Sequence, residues 1–255
     1  MEVKELFNLK GENAIVTGAA QGLGEEMAFA LAEVGANVAI VDINQKKGEK
    51  VAERIKDMGR ESIFIKCDVS NKQDVENMVK EVKSRFYKID ILVNNAGIVN
   101  NFPAEEMDLK EWEKIIEVDL TGVFICAQEV GREKIKQKKG VIVNIASMSG
   151  IIVNNPQPQC HYNTAKAGVI MLTKSLAAEW AKYNIRVNCI APGYMGTEMV
   201  KKAFPKYGQN WIPLIPMGRI GNPNEIKGPI VFLCSKASSY ITGSVFVMDG
   251  GYTIW

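Results

Sequence analysis

The stretch TGAAQGLG, residues 17–24, decides the fold of this chain. It follows the apolar run NAIV, residues 13–16, and leads into a segment with helical periodicity over 22–34. A strand that passes through a glycine turn into a helix leaves backbone N–H groups free at the positive end of the helix dipole. The stretch therefore predicts an α/β unit with an anion site at its first turn.

The glycine spacing narrows the kind of nucleotide site. Gly18, Gly22 and Gly24 follow the order G-x-x-x-G-x-G, which differs from the G-x-G-x-x-G fingerprint of dinucleotide-binding turns. The absence of G-K-[ST] excludes a Walker loop. Gln21 and Leu23 belong to the same turn, and we assign all five residues to a cofactor site. Glycines that serve only packing remain an alternative explanation.

The rest of the chain repeats this alternation of strand and helix. Strands are predicted at NAIVTG, NVAIVD, SIFIKCD, IDILVNNAG, GVIVNIAS, IRVNCIAPG and SVFVMDGG. Helices are predicted over 22–34, 44–58, 71–86, 108–137, 160–183 and near 223–236. Strands that are apolar throughout are typical of a parallel sheet covered on both faces. We therefore expect one Rossmann-type domain over residues 1–255, with a doubly wound seven-stranded sheet.

Composition excludes several classes of function. The 255 residues are 47% hydrophobic and 24% charged, with a net charge of +2, which gives no electrostatic reason for binding nucleic acid or an anionic membrane. The five cysteines are widely spaced without a C-x-x-C pair, so neither a metal site nor a disulfide framework is expected. No run approaches the length of a membrane span, and we expect a reducing, cytoplasmic location.

The second predicted strand ends in Asp42. A carboxylate at this position accepts hydrogen bonds from both ribose hydroxyls of NAD and repels the 2′-phosphate of NADP. Gln21 supplies no positive charge for that phosphate, and the lysines of INQKK come only after the strand has ended. The sequence therefore favours NAD over NADP. A helix N-cap is the alternative role for Asp42.

The segment CHYNTAK, residues 160–166, carries the candidate acid–base chemistry. Tyr162 and Lys166 lie one helical turn apart on the same face, and an ammonium lowers the pKa of a neighbouring phenol. Ser147, at the end of the fifth strand, is placed to donate a hydrogen bond to a substrate oxygen, and Ser149, two residues on, is a competitor for this role. His161 points about 100° away from Tyr162, so we expect a helix-surface or substrate-pocket residue there rather than a catalytic one.

Together, TGAAQGLG, CDVS, NNAG, YNTAK, RVNCIAPG and MGRIGNPNEI…SSYITGSVFVMDGG resemble the classical short-chain dehydrogenase/reductase family, in order and over nearly the whole chain. The resemblance implies hydride transfer between a nicotinamide and an alcohol or ketone. It makes Tyr162 the acid–base group, Ser147 the residue that steadies the substrate oxygen, and Lys166 both a pKa tuner and a ribose contact. It assigns further cofactor contacts to residues at the strand ends: Asp68, Val69, Asn95, Ala96, Gly97, Pro192, Gly193 and Thr197.

One residue departs from the family pattern. EVDLTGVF has Asp119 where the family commonly has an asparagine that positions a water in the proton relay through Lys166. We retain Asp119 as a candidate relay member, although a second charge near the lysine shifts the electrostatics. A backbone role that interrupts the helix is the alternative.

The loops expected around the substrate are rich in amides: Asn100, Asn101, Asn154, Asn155, Gln157 and Gln159. This set suits the recognition of hydroxyls, and SMSGIIVNNPQPQCHYNTAKAGV is similar to the sugar and polyol branch of the family. We therefore predict a polyol, sugar or sugar-acid dehydrogenase. Several alternatives remain open. The amides could simply be loop-forming residues. The protein could also be a 3-oxoacyl thioester reductase, a gluconate-type hydroxy-acid dehydrogenase, a small-diol dehydrogenase of the 2,3-butanediol type or a nucleotide-sensing protein without catalysis.

Two further expectations concern mobility and assembly. The segment 193–217 carries three prolines and several large apolar residues, and is predicted to be an irregular, mobile lid. The family resemblance implies a homotetramer, with contacts through the helices over 108–137 and 160–183 and through the apolar ending VMDGGYTIW.

Overall fold

The computed structural model describes residues 2–255; Met1 lies outside the described residues. Its strands are β1 Asn13–Thr17, β2 Asn37–Asp42, β3 Ser62–Lys66, β4 Ile91–Asn94, β5 Gly140–Ile145, β6 Ile185–Pro192 and β7 Val245–Met248. Its α-helices are α1 Val3–Leu6, α2 Gly22–Glu33, α3 Gln45–Asp57, α4 Lys72–Phe86, α5 Leu109–Ile116, α6 Gly122–Gln137, α7 Cys160–Trp180, α8 Glu198–Trp211 and α9 Lys227–Cys234.

The seven strands form one parallel sheet in the order β3-β2-β1-β4-β5-β6-β7. All five residues of β1 are buried, because hydrophobic clusters cover both faces of the sheet. This burial explains the uninterrupted apolar runs of the central strands. The predicted fold class is therefore confirmed. None of the helices in residues 2–255 combines the length and the apolar character needed to cross a lipid bilayer.

The chain order of the strands reverses between β1 and β4. From β1 the sheet grows outward through β2 to β3, and β4 then starts growth on the other side. Connections on the two sides diverge at this point, which opens a crevice at the carboxyl ends of the strands. The glycine turn after β1 lies at this crevice.

Two segments differ from the sequence prediction. The helix predicted over 108–137 is interrupted by a π-helical turn over Glu117–Thr121, between α5 and α6. Such single wide turns occur frequently at functional sites.

The segment 193–217 is mostly helical, because α8 spans Glu198–Trp211 with Pro205 inside it. The apolar side of α8 packs against the end of β6, and Trp211 is buried there, which outweighs the local cost of the proline.

A buried lysine lies at the opposite, amino-terminal edge of the sheet. Lys134 of α6 is fully buried, its stem packs against Gly140, and its Nζ donates to the carbonyl oxygen of Ile89 at 3.3 Å. Burial lowers the pKa of Lys134 to about 7, although the nearby Asp90 carboxylate partly opposes that shift. An unfolded lysine has a pKa near 10.4, so this residue lowers the free energy of unfolding at every pH below about 10, and lowers it most below about pH 7.

We expect Lys134→Met to stabilise the protein most at neutral pH. Between about pH 7 and pH 10 the unfolded chain binds a proton at Lys134 that the folded chain does not, so the native free energy of unfolding gains about 1.4 kcal/mol per pH unit from this residue. The methionine variant lacks this contribution. Its advantage over the native protein, measured by urea unfolding at pH 7, 8 and 9, therefore shrinks as the pH rises. Lys136→Met, which replaces an exposed lysine of α6, is the control. An advantage independent of pH would contradict this assignment.

Candidate active site

The glycine turn is held against the end of β4 by close backbone contact. Gly18 has a φ of +63°, and a Cβ there would lie 2.7 Å from Ala96 Cα. Asn95 Nδ2 donates to the carbonyl oxygens of Thr17 and Gly18, each at 3.0 Å, and Thr17 Oγ1 accepts the N–H groups of Asn95 and Ala96. Gly24 packs directly below Gly18, where a Cβ would overlap the Gly18 carbonyl. Glycine is required at both positions because the backbones approach so closely.

A cavity of about 650 Å³ extends along the carboxyl ends of the strands from this turn. It spans the predicted cofactor end and the predicted catalytic end without interruption. Its wall contains nearly all the predicted site residues: Gly18, Gln21, Gly22, Leu23, Asp42, Asp68, Val69, Asn95, Ala96, Gly97, Asp119, Ser147, Tyr162, Lys166, Pro192, Gly193 and Thr197. Gly24 is the exception, and the structure gives it a packing role instead of a place at the wall.

Asp42 lies at the cavity rim with its carboxylate tied to two backbone groups. Oδ2 accepts the N–H of Ala20 at 3.0 Å and Oδ1 accepts the N–H of Asn44 at 2.8 Å. Asn44 is the N-cap of α3, so the alternative reading of Asp42 as a helix cap is wrong. Lys47 returns to the same rim and donates to Gln21 Oε1 at 2.6 Å. The rim therefore carries a positive charge that the position of INQKK after the strand had not suggested.

The three catalytic candidates converge at the other end of the cavity. Tyr162 and Lys166 lie in the first two turns of α7, with Lys166 Nζ 5.5 Å from the centroid of the Tyr162 ring. Lys166 Nζ also lies 3.3 Å from the carbonyl oxygen of Ile145, to which it donates. Ser147 follows β5, and its Oγ accepts the N–H of Ser149 at 3.1 Å. The helix thus holds the phenol and the ammonium, and the strand end holds the hydroxyl.

Asp119 is buried directly behind Lys166. Its Oδ2 lies 3.0 Å from Lys166 Nζ, and its Oδ1 accepts the N–H of Ile98 at 2.8 Å. The lysine contact is an ion pair without the alignment of a good hydrogen bond. A Cβ on Gly97 would lie 2.9 Å from Oδ2, so this glycine leaves the space that the carboxylate occupies. The π-helical turn directs Asp119 inward, where a regular helix had been predicted.

The pKa shifts reflect this buried pair. Burial raises the pKa of the Tyr162 phenol, and the Asp119 carboxylate raises it further. Lys166 and Ser147 lower the same pKa, but the net shift of Tyr162 is upward. Burial alone would lower the pKa of Lys166, but the charges of Asp119 and Tyr162 outweigh it and raise that pKa. The sequence had predicted that Lys166 lowers the pKa of the phenol. Within the protein, burial and the Asp119 carboxylate more than cancel that effect.

His161 is neither on the helix surface nor at the cavity wall, contrary to expectation. It is fully buried, and its Nε2 contacts Asn100 Oδ1. Asn100 Nδ2 donates to Glu111 Oε2 at 2.6 Å, and a carboxylate only accepts, so Nε2 must be the protonated nitrogen of His161. Burial lowers the pKa of His161 and favours this neutral form. His161 therefore anchors the β4–α5 loop to α7.

The amide-rich loops divide into two groups. Asn154, Gln157 and Gln159 are buried at the cavity wall, and Asn101 lies at the wall on the exposed side. Asn100 is engaged by His161 and Glu111, and Asn155 is exposed away from the wall.

Sequence reasoning missed two aromatic residues that line the cavity beside these amides, Tyr194 after β6 and Trp211 of α8. The run APGY at the end of the sixth strand was the available signal for Tyr194.

Comparisons with known proteins agree with this geometry. Residues 18–253 match the model of a family described as enoyl-(acyl carrier protein) reductase. A sorbose reductase of Candida albicans is 43% identical over 255 residues, which cover 98% of this chain and 90% of the relative. An NADP-dependent mannitol dehydrogenase of Hypocrea jecorina is 45% identical over 253 residues, which cover 98% and 95%.

A solved structure adds the comparison in three dimensions. The crystal structure of a short-chain type dehydrogenase/reductase from Mycobacterium marinum superposes with a TM-score of 0.93 at 42% identity, over 99% of each chain. The two relatives and this structure each cover 98% or more of the chain, and the family model covers it from Gly18 to Thr253. The chain therefore belongs to the short-chain dehydrogenase/reductase family and is an oxidoreductase that acts on CH–OH groups.

Proposed function

We propose that this protein interconverts an acyclic polyol or sugar alcohol and the corresponding ketose with a nicotinamide cofactor. The observation that carries the proposal is the wall next to Ser147 and Tyr162, where Asn154, Gln157 and Gln159 are buried and polar. Buried polar side chains around a reacting centre suit a substrate with several hydroxyls, because such groups reject apolar analogues. The sorbose reductase and the mannitol dehydrogenase named above support the same substrate class.

The residues of the cofactor end fit NAD(P). The glycine turn opens α2 without side chains in the way of a pyrophosphate, and Asp42 and Asp68 lie at the rim where an adenosine would reach. When bound, the nicotinamide supplies the acceptor or donor of the hydride. Lys166, Thr197 and the Pro192–Gly193 backbone are the residues that would orient its ribose and carboxamide.

In alcohol oxidation, the carbinol carbon gives up a hydride and the hydroxyl gives up a proton. We assign the proton to the ionised oxygen of Tyr162 and the hydrogen bond that steadies the reacting oxygen to Ser147. Lys166 stabilises the ionised phenol, and Asp119 holds Lys166 in place. In ketone reduction the same proton returns from Tyr162 to the new alkoxide.

We propose NAD as the preferred cofactor, because the Asp42 carboxylate repels a 2′-phosphate at the ribose. Lys47 at the same rim opposes this preference, and the mannitol dehydrogenase relative uses NADP. Values of kcat/KM for NAD and NADP with one substrate measure the preference directly. A higher value for NADP would overturn it.

A substrate panel tests the function. With either cofactor, mannitol, arabinitol and galactitol, together with sorbose as the ketose, should be turned over far better than a 3-oxoacyl thioester, a hydroxysteroid, gluconate or 2,3-butanediol. No activity on any of the polyols or on sorbose, with activity on one of the other classes, would replace this proposal by that class.

The remaining proposals concern mobility, assembly and location. We propose that α8 covers the cavity as a lid, since Tyr207 and Trp211 on one side of it line the wall.

We also propose a homotetramer, because large apolar side chains are exposed on α7, on β7 and at the chain end: Met171 60%, Val247 45%, Ile254 71% and Trp255 76%. Sedimentation at micromolar concentration measures the assembly. The cytoplasmic location stays a prediction.

A further inference from the structure

The three buried amides at the cavity wall are bonded mainly to protein groups. Trp211 Nε1 donates to Gln157 Oε1 at 3.1 Å, and an indole nitrogen can only donate. This fixes the Gln157 amide, so its Nε2 is the group that donates to the Tyr194 hydroxyl oxygen at 2.8 Å. Asn154 Nδ2 donates to the same oxygen at 3.1 Å. Gln159 Nε2 in turn donates to Asn154 Oδ1 at 3.1 Å.

The hydroxyl of Tyr194 accepts two hydrogen bonds, and neither uses its own proton. A phenol oxygen with two incoming donors has its proton left to give. Burial raises the pKa of Tyr194, both amides oppose that shift, and the neighbouring Tyr252 hydroxyl adds to it, so the proton is retained at neutral pH. Tyr194 lines the cavity together with Asn154 and Gln157, the two residues that donate to its hydroxyl oxygen.

The Tyr194 ring is held firmly in place. It stacks on Trp211 with ring centroids 3.9 Å apart and an interplanar angle of 11°, and the edge of Tyr252 meets it at 5.5 Å. Two amides and two aromatic rings therefore fix the direction of one hydroxyl. Such preorganisation favours one donor geometry over many adaptable ones.

We propose that Tyr194 is the substrate-recognition residue of this enzyme, and that its hydroxyl donates to a second oxygen of the substrate, beyond the carbon that reacts. The inference rests on the proposed function for the identity of the substrate, but it concerns a different group from those that move the hydride or the proton. Asn154 and Gln157 act through Tyr194 as positioning residues.

Tyr194→Phe tests the proposal with two matched ketones. Sorbose is a 2-ketohexose, and 2-hexanone keeps the same carbon chain and carbonyl position without any other oxygen. The variant should raise the KM for sorbose about tenfold with kcat changed less than twofold, since one hydrogen bond to the substrate is lost. Its kinetics with 2-hexanone should match those of the native enzyme.

Tyr252→Phe is the matched control, because Tyr252 belongs to the same aromatic cluster but does not line the cavity. It should leave both substrates unaffected. A selective loss on sorbose in both variants would show that the aromatic cluster, and not the Tyr194 hydroxyl, sets the KM for sorbose, and would overturn the proposal. An equal loss on sorbose and 2-hexanone in Tyr194→Phe, or no loss on either, would overturn it as well.

The same variants separate this proposal from the proposed function. If the native enzyme does not reduce sorbose but reduces acetoin, the hydroxyketone that corresponds to 2,3-butanediol, the proposed function is wrong as stated. The comparison then uses acetoin against 2-butanone, which again differ by one oxygen. A selective rise in KM for acetoin in Tyr194→Phe would still support recognition by Tyr194, and an equal change on both would refute it.

Discussion

Tyr162→Phe is expected to reduce turnover about 10³-fold in both reaction directions while cofactor binding is retained. The variant keeps the ring and its packing but removes the only atom that we assign to proton transfer, a role that contributes on the order of 10² to 10⁴ in rate. The dissociation constant of NADH, followed by its fluorescence, should change less than threefold. Initial rates with a polyol and with its ketose measure the loss.

Tyr207→Phe is the control for this variant. Tyr207 also lines the cavity but lies on α8, away from Lys166 and Ser147. We expect less than a threefold change in kcat. Native turnover in Tyr162→Phe would refute the assigned role, and a native protein that binds NADH but turns over no substrate would instead favour the nucleotide-sensing alternative.

Asp119→Asn is expected to move the pH profile of the reaction to lower pH. The Asp119 carboxylate raises the pKa of Tyr162, so its removal lets the charge of Lys166 lower that pKa. Alcohol oxidation needs the ionised phenol and therefore rises with pH through this pKa. Ketone reduction needs the protonated phenol and falls through it. Both limbs should move down by the same amount.

The logarithm of kcat/KM against pH, measured in both directions, provides the test. Asp108→Asn is the control, since Asp108 is the exposed N-cap of α5 and asparagine caps a helix equally well. A profile that stays in place, or moves upward, would show that Asp119 does not set the electrostatics of Tyr162. A shift in only one direction of reaction would point to a change in another step.

The sequence was sufficient for the fold because the relevant signals are local. The glycine turn at 17–24 and the apolar strands predicted a doubly wound, seven-stranded parallel sheet, and the spacing of Tyr162 and Lys166 follows from helix geometry alone. The π-helical turn at Glu117–Thr121 was missed because a single inserted residue per turn hardly disturbs a helical pattern. The helix α8 was missed because prolines outweighed its apolar side in the reading of 193–217.

The candidate site was predictable to a different degree at each end. At the cofactor end, strand ends and turns place backbone and carboxylates where the chain itself dictates, and nearly every predicted residue lies at the cavity wall. Lys47 was misjudged, because a long side chain can return to a rim that its backbone has left. His161 was misjudged because nothing in its helix reveals the loop that buries it.

By itself the sequence determined the order of strands and helices, the glycine turn and the pairing of a phenol with an ammonium, because each is encoded by residues close together in the chain. Only the tertiary structure decided which polar groups face the substrate. Asn154 is bonded to Tyr194 across 40 positions, and Gln157 to Trp211 across 54. The direction of a buried hydrogen bond depends on which donors and acceptors the fold brings together, and no local pattern carries that information.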